Sequence, residues 1–251
     1  MLKRGQTALF MILGIIVLII IGLVFLFRSE AFTSLYKEQV QADANTQAQL
    51  KNLNSFVEKC VENTAYDGVK FIGQNGGYVN SPNLSYNDIP YYFFNNKSYF
   101  PSKSIIQNEI NKYVNDQLFF CTRNFIDFPD LVIFQEIPKT SSKINDNEIE
   151  LKVNYPLRVF KNNIEYNTKV FNAVIDVRLG IIHNTISEIM VDQLNNTDSI
   201  CVSCIVDLSE KNDLKVNIEN MDDKTMLFII RDENSRINNQ SYEFIFVNEY
   251  D

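Results

Sequence analysis

The chain has 251 residues, 23 Lys and Arg against 31 Asp and Glu, one His, and a formal net charge of −8. So acidic a composition repels phosphate backbones and anionic headgroups, which excludes nucleic acid as a partner class. A single histidine, and a sequence without a Gly-rich phosphate loop, a GxSxG elbow or an HExxH pair, argues against an enzyme and predicts neither a cofactor nor a metal site.

Residues 7–27, TALFMILGIIVLIIIGLVFLF, hold no charged side chain and no proline. At about 1.5 Å of rise per residue they reach roughly 31 Å, the thickness of a bilayer's hydrocarbon core, so the run predicts a transmembrane helix with the lipid bilayer as its partner. Lys3 and Arg4 precede it as a signal peptide's charges would. The run exceeds the about 7 to 15 residues of a signal core, however, and the exit Phe25-Leu26-Phe27-Arg28 lacks a small-x-small cleavage site. Lys3 and Arg4 set the N-terminus in the cytoplasm, because Arg28 and Lys37 beyond the run are offset by Glu30, Glu38 and Asp43. The organisation predicted is a cytoplasmic tail over 1–6, a membrane helix over 7–27, a helical stalk over 28–49, free of Pro and Gly, and an extracytoplasmic α+β domain over 50–251.

Leu50, Leu53, Val57, Cys60, Val61, Thr64, Gly68 and Ile72 recur at steps of three and four, one apolar stripe of a helix that stops at 73–77, where Gly76 and Gly77 tolerate left-handed backbone. Residues 78–103 read as turns and short strands, and the run Tyr91-Tyr92-Phe93-Phe94 within them is either core packing or a platform for a glycan or peptide. A second amphipathic helix begins near Ser104, whose spacing to Gln107 fits a capping box, and carries Ile106, Ile110, Tyr113, Val114, Gln117 and Cys121 on one side. After Pro129 the period changes to two. Ile149, Leu151, Val153 and Tyr155 alternate with polar residues, and Val170, Phe171, Ala173, Ile175 and Val177 follow a polar turn at Asn162-Asn163, which predicts a hairpin with one wet face. A third helix over 179–194 places Ile182, Ile186, Ile189, Met190 and Leu194 inward; a short fourth covers 199–211; strands over 214–218, 226–230 and 242–247 close the chain. Helices followed by hairpins predict an α+β fold with amphipathic helices packed on an antiparallel sheet.

Four cysteines, Cys60, Cys121, Cys201 and Cys204, fall on the predicted exterior, where an even count suggests disulfides with three connectivities open. Cys60 and Cys121 each lie on the apolar stripe of a helix, and helices packed about 8 to 10 Å apart bring facing side chains within bonding reach. That favours Cys60 with Cys121 and Cys201 with Cys204. The Cys201-Val202-Ser203-Cys204 element also admits thiol–disulfide exchange or half of a zinc site, although it follows a polar loop rather than the parallel strand of thioredoxin-like enzymes. His183 reads as a structural histidine, and Asp222, Asp223 and Asp232 as solvated turn residues. Asn83, Asn96, Asn195 and Asn239 open Asn-x-Ser/Thr triplets and are candidate glycosylation sites.

The opening Lys3-Arg4-Gly5-Gln6-Thr7-Ala8-Leu9-Phe10 with its apolar run resembles the N-termini of a family of uncharacterised membrane-anchored surface proteins of small-genome archaea. Val57, Cys60, Gly68, Ile72, Gly73, Gly76-Gly77-Tyr78, Ile89-Pro90-Tyr91-Tyr92 and Cys121 resemble later signatures of the same family. The resemblance implies a place at the cell surface and no activity. Gly5-Gln6 is also similar to the processing site of archaeal type IV pilin-like precursors, but Phe10 stands where those carry Glu. The function expected is a non-enzymatic cell-surface or envelope interaction role, contacting an extracellular or envelope protein or glycan. A pilin-like filament subunit processed at Gly5-Gln6 is the first alternative, and an extracytoplasmic thiol–disulfide oxidoreductase using Cys201 and Cys204 the second.

Overall fold

The structure, a computed structural model, describes residues 4–161, 164–197 and 199–250, with backbone alone at 4–13, 22, 25–44 and 164. The chain divides into two units, residues 1–53 and 54–251. Helix α1 runs continuously over Arg4–Gln74. The expectation of a transmembrane helix over 7–27 is corrected: among the described residues no helix is long and apolar enough to cross a membrane.

In the second unit the fold is α+β. The stripe of α1 is buried at Val57, Cys60, Val61, Thr64, Ala65, Gly68, Val69 and Ile72, as the spacing predicts. The helix ends on paired bonds: the Gly77 N–H reaches the Ile72 carbonyl at 2.8 Å and the Gly76 N–H reaches that of Gly73 at 3.4 Å. Gly76 and Gly77 take φ of 56° and 87°, which side chains with a Cβ resist.

Among the described residues ten strands form two sheets. The first contains β1 (Ser85–Tyr86), β2 (Ile89–Phe94), β3 (Lys97–Ser98), β8 (Lys215–Asn220), β9 (Thr225–Ile237) and β10 (Gln240–Glu249), in the order β1-β2-β10-β9-β8 with β3 beside β2. The β2–β10 pair is parallel, so the single antiparallel sheet expected is corrected to two sheets, one of them mixed. Three of its hairpins turn on two residues of positive φ, Asn87-Asp88, Asn95-Asn96 and Asn238-Asn239, the mirror-image turns whose twist suits an antiparallel pair.

The second sheet is built on β6 (Ile149–Lys161), with β7 (Ile164–Ile175) along one edge. On the other edge, β4 (Val132–Gln135) pairs with residues 157–160 and β5 (Lys139–Ile144) with 149–154. The break between β4 and β5 falls opposite Pro156, which lacks an N–H to offer a ladder. The turn at Asn162-Asn163 lies outside the described residues.

Helix α2 spans Lys103–Thr122 and is capped by Ser102, whose hydroxyl accepts the Ile105 N–H, rather than by Ser104. Gln107 instead reaches across to β5: its Nε2 donates to the Ser142 carbonyl at 2.8 Å, and the Ser142 hydroxyl donates to the Gln107 carbonyl at 3.1 Å. With Asn115 accepting the Thr140 N–H at 2.9 Å, α2 caps the free edge of β5 and protects it from pairing elsewhere. The buried line of α2 is Ile106, Ile110, Val114, Leu118 and Thr122, so Gln117 faces outward, contrary to the expected stripe.

Helices α3 (Leu179–Asn195) and α4 (Val202–Asn212) follow. Leu194 is exposed and Gln193 is buried, a reversal of the predicted face. The reversal has a polar cause. Gln193 Oε1 accepts the Tyr250 hydroxyl at 2.8 Å, and its Nε2 donates to the carbonyls of Asn196 at 2.8 Å and Ser199 at 3.4 Å.

Candidate functional site

The four cysteines form two disulfides, Cys60–Cys121 with Cα atoms 5.5 Å apart and Cys201–Cys204 with Cα atoms 5.3 Å apart. Both pairings follow the expectation from the helical stripes, and both leave the cysteines without the free thiols a zinc site would use.

Cys121 lies one residue from the end of α2, and the backbone beyond it is unusual. Arg123, Asn124 and Phe125 hold φ of 44°, 54° and 58°, three consecutive non-glycine residues in the left-handed region. Each such residue is disfavoured by roughly 1–2 kcal/mol, Asn least, and an aromatic residue there is rare. The surroundings hold the turn in place. Cys121 is tied to α1, Arg123 pairs with Asp127 at 2.5 Å, and Asn124 Oδ1 accepts from Gln135 of β4 at 2.8 Å. Phe125 is buried, its ring 6.4 Å from that of Tyr155, and the Tyr155 hydroxyl donates to Gln135 Oε1.

Around this clamped turn the large apolar side chains point outward. Phe119, Phe120 and Ile126 flank it, and Val132, Phe134 and Ile137 follow on and after β4, with Phe120 67 % and Ile137 80 % exposed. Phe134 meets Phe160 edge to face at 5.7 Å, and the Arg158 guanidinium lies 5.7 Å from its ring centre. Sequence reading missed this surface, because nothing in Arg123-Asn124-Phe125 beyond the Asn announces a left-handed turn.

The second disulfide stands at the N-terminus of α4. Cys201 is the N-cap, and its Sγ accepts the Cys204 N–H at 3.3 Å. Val202 and Ser203, between the two cysteines, are exposed. The far end of α4 is held by a buried ion pair that corrects the reading of Asp232 as a solvated turn residue. Asp232 is fully buried inside β9; Arg178 Nη2 donates to its Oδ1 at 2.5 Å and Nε to its Oδ2 at 3.0 Å. Ser235 and Asn234 complete the carboxylate's shell, donating from Oγ at 2.5 Å and from the backbone N–H at 3.1 Å. Arg178 then donates to the Asn212 and Asp213 carbonyls at the end of α4, at 3.2 and 2.9 Å.

The other expected residues have plainer places. Asp222 is an exposed turn residue accepting the Lys224 and Thr225 N–H groups, which hold its carboxyl below the usual range; Asp223 is exposed beside it. His183 is part-buried with its ring 4.5 Å from that of Phe100 and its Nε2 3.0 Å from the Pro101 carbonyl. Tyr91, Tyr92 and Phe93 are buried, Tyr92 stacking on Phe246 at 4.5 Å, which corrects the ligand-platform reading in favour of core packing. Asn83, Asn96, Asn195 and Asn239 are all exposed, Asn96 and Asn239 within hairpin turns. Gly5 and Gln6 fall in the first turns of α1, where only backbone is described.

A polar cleft of about 460 Å³ opens between the end of α1 and the β9–β10 ribbon. Arg231 pairs with Glu243 at 2.7 Å and Glu233 with Lys215 at 2.6 Å, while Lys70 donates to the Gln240 amide at 2.8 Å. No metal-binding group of three or more His, Cys, Asp or Glu occurs among the described residues. Comparison with protein families, with curated proteins and with solved structures finds no match for this chain.

Proposed function

We propose that the protein works outside the cytoplasm as a binding domain, and that its partner contacts the surface formed by the end of α2, the left-handed turn and β4. The observation that carries this reading is the clamped turn. Three residues in a disfavoured backbone conformation, fixed by a disulfide, an ion pair and the Gln135–Asn124 bond, sit among exposed Phe119, Phe120, Ile126 and Phe134. Backbone strain persists where surrounding structure over-determines it, and large outward apolar side chains gathered on a rigid frame are the usual make-up of a contact surface. Two disulfides favour an oxidising compartment, which supports the location. An envelope protein with an apolar or aromatic face fits best, because Phe, Ile and Val offer area and no hydrogen bonds to a glycan's hydroxyls.

The test places a photo-crosslinking residue at Phe120, at Phe134 and, as a control, at Glu219 on the first sheet, in chains expressed in intact cells. A discrete protein adduct from the first two positions and none from the third is expected. Equal adducts at all three, adducts to glycan alone, or none, would discard the assigned surface. Labelling of the same cells with a membrane-impermeant amine reagent should modify Lys112 and Lys139, and protection of both would place the domain inside.

A further inference from the structure

We propose that Cys201–Cys204 is a thiol–disulfide exchange site acting on dithiol or disulfide groups of another protein, with Cys201 as the sulfur that bonds to the partner. The binding role above neither requires nor supplies this chemistry.

Three independent features of the surroundings meet at this pair. The first is access: Cys201 and Cys204 are half-buried, and Val202 and Ser203, which link them, are exposed. The second is electrostatic. In the reduced state the Cys201 sulfur would remain at the N-cap of an eleven-residue helix with the Cys204 N–H directed at it, 3.3 Å away in the oxidised state. An N-cap acceptor and the positive end of a helix both favour a thiolate over a thiol, and thiolate is the reactive form. The third is a frame that does not depend on the disulfide. Gln193 holds the approach to Cys201 through the Asn196 and Ser199 carbonyls and is itself held by Tyr250. Arg178, bound to buried Asp232, holds the other end of α4 through the Asn212 and Asp213 carbonyls, so α4 is anchored at both ends whether or not the cysteines are joined. A ring closed across only three residues of separation constrains the unfolded chain little, so its loss leaves the fold in place.

The exchange balances without any other reactant. A partner thiolate attacks the Cys201 sulfur; the Cys201–Cys204 bond breaks, a partner–Cys201 disulfide forms, and Cys204 leaves as a thiolate that takes a proton. The partner's second thiolate then attacks its own sulfur in that mixed disulfide and displaces Cys201, whose negative charge the Cys204 N–H receives. Two electrons and one proton pass to the cysteine pair, which ends as a Cys204 thiol and a Cys201 thiolate, while the partner dithiol becomes a disulfide and leaves its second proton in solvent. The reverse sequence reduces a partner disulfide.

Two measurements on the full chain decide the matter. Native protein is equilibrated across a dithiothreitol series, quenched by alkylation and mapped by mass spectrometry. Cys201–Cys204 should be half reduced at a dithiothreitol concentration at least tenfold below that for Cys60–Cys121. In the second measurement the Cys204→Ser and Cys201→Ser variants are offered oxidised glutathione. The mixed disulfide should form at Cys201 in the first variant at least tenfold faster than at Cys204 in the second. Reduction of both disulfides together, or equal or faster capture at Cys204, overturns the proposal. Where a variant does not fold, the wild-type midpoints decide alone.

Discussion

The two disulfides occupy contrasting places, and the contrast separates what a disulfide does for a fold from what it leaves free to react. Cys60–Cys121 spans 61 positions of sequence and fastens two helices whose packed faces are already buried. Cys201–Cys204 spans three and fastens only the first turn of a surface helix whose one buried side chain is Ile205. The first bond joins two helices that share one core; the second lies in structure tied down through Gln193, Tyr250, Arg178 and Asp232. One domain therefore holds a long-range clamp between helices and a short ring at a helix N-terminus.

The largest expected effect lies in the clamp. Closing a loop of that length removes chain entropy worth about 4 kcal/mol, whereas the short ring removes about 2 kcal/mol at most by the same relation. Cys60→Ser and Cys121→Ser should each lower the melting temperature by about 10 °C for a domain of this size, and by similar amounts, since either leaves the same bond unmade. Cys201→Ser should lower it by less than half as much. Calorimetry on the three variants makes the comparison, and equal losses at Cys60 and Cys201 would erase the distinction drawn here.

A second, smaller effect tests how closely the clamped helices approach. A Cβ built on Gly68 would lie 2.7 Å from Tyr113 Cδ1, so α1 and α2 touch there through a missing side chain. Gly68→Ala gains about 1 kcal/mol of helix propensity. Against that stands an overpacking cost of about 1–3 kcal/mol, because the Tyr113 ring is also held by Phe71 at 5.5 Å. A net loss of about 1 kcal/mol by denaturant titration is expected, and in a Tyr113→Ala background the same change should turn stabilising. A stabilising Gly68→Ala in the native background would mean that the helices have room to spare.

Much of this contrast was legible in the sequence, and its gaps have physical causes. The helical stripe of α1, its Gly-Gly stop, the alternation of β6 and both cysteine pairings follow from local periodicity, which a chain displays one turn at a time. Strand β5, Lys-Thr-Ser-Ser-Lys-Ile, carries no apolar alternation because it is an edge strand served by α2 side chains, and so it was missed. The same holds for the far half of β9. Its Arg-Asp-Glu-Asn-Ser run reads as a turn until Arg178, 54 positions away, is seen to neutralise Asp232, with Glu233, Asn234 and Ser235 as extra residues opposite the Ser241–Tyr242 step. The parallel β2–β10 pairing joins residues more than 150 apart and leaves no local trace. At the candidate surface, Phe119 and Phe120 lie off the buried line Ile110, Val114, Leu118 and Thr122, so helical phase turns them outward; what local sequence does not announce is the left-handed turn beyond them, which Phe125 does not favour by itself.

The smallest effect concerns the residue that lies between the two regions. His183, on the helix that leads toward Cys201, contacts Phe100 and the Pro101 carbonyl just ahead of the N-cap of α2, the helix that ends at Cys121. Burial lowers its pKa below the ordinary value of 6.5, and the charge of Lys103 adds to that, while the bond to Pro101 opposes it. The folded state therefore favours the neutral ring, and the unfolded chain binds the proton first. Above about pH 6.5 the ring is neutral in both states and folding carries no proton penalty. As the pH falls from there toward the lower folded value, the unfolded state takes up a proton that the folded state refuses, and stability declines. Replacing His183 with Gln keeps a donor near the Pro101 carbonyl and removes the titration, so the decline between pH 6.5 and 5 should be shallower in that variant than in the native chain. Both should keep the same difference in melting temperature from their Cys60→Ser derivatives at every pH in that range, because the disulfide does not titrate. Parallel native and His183→Gln profiles would show that the ring is as free to protonate in the fold as in the open chain.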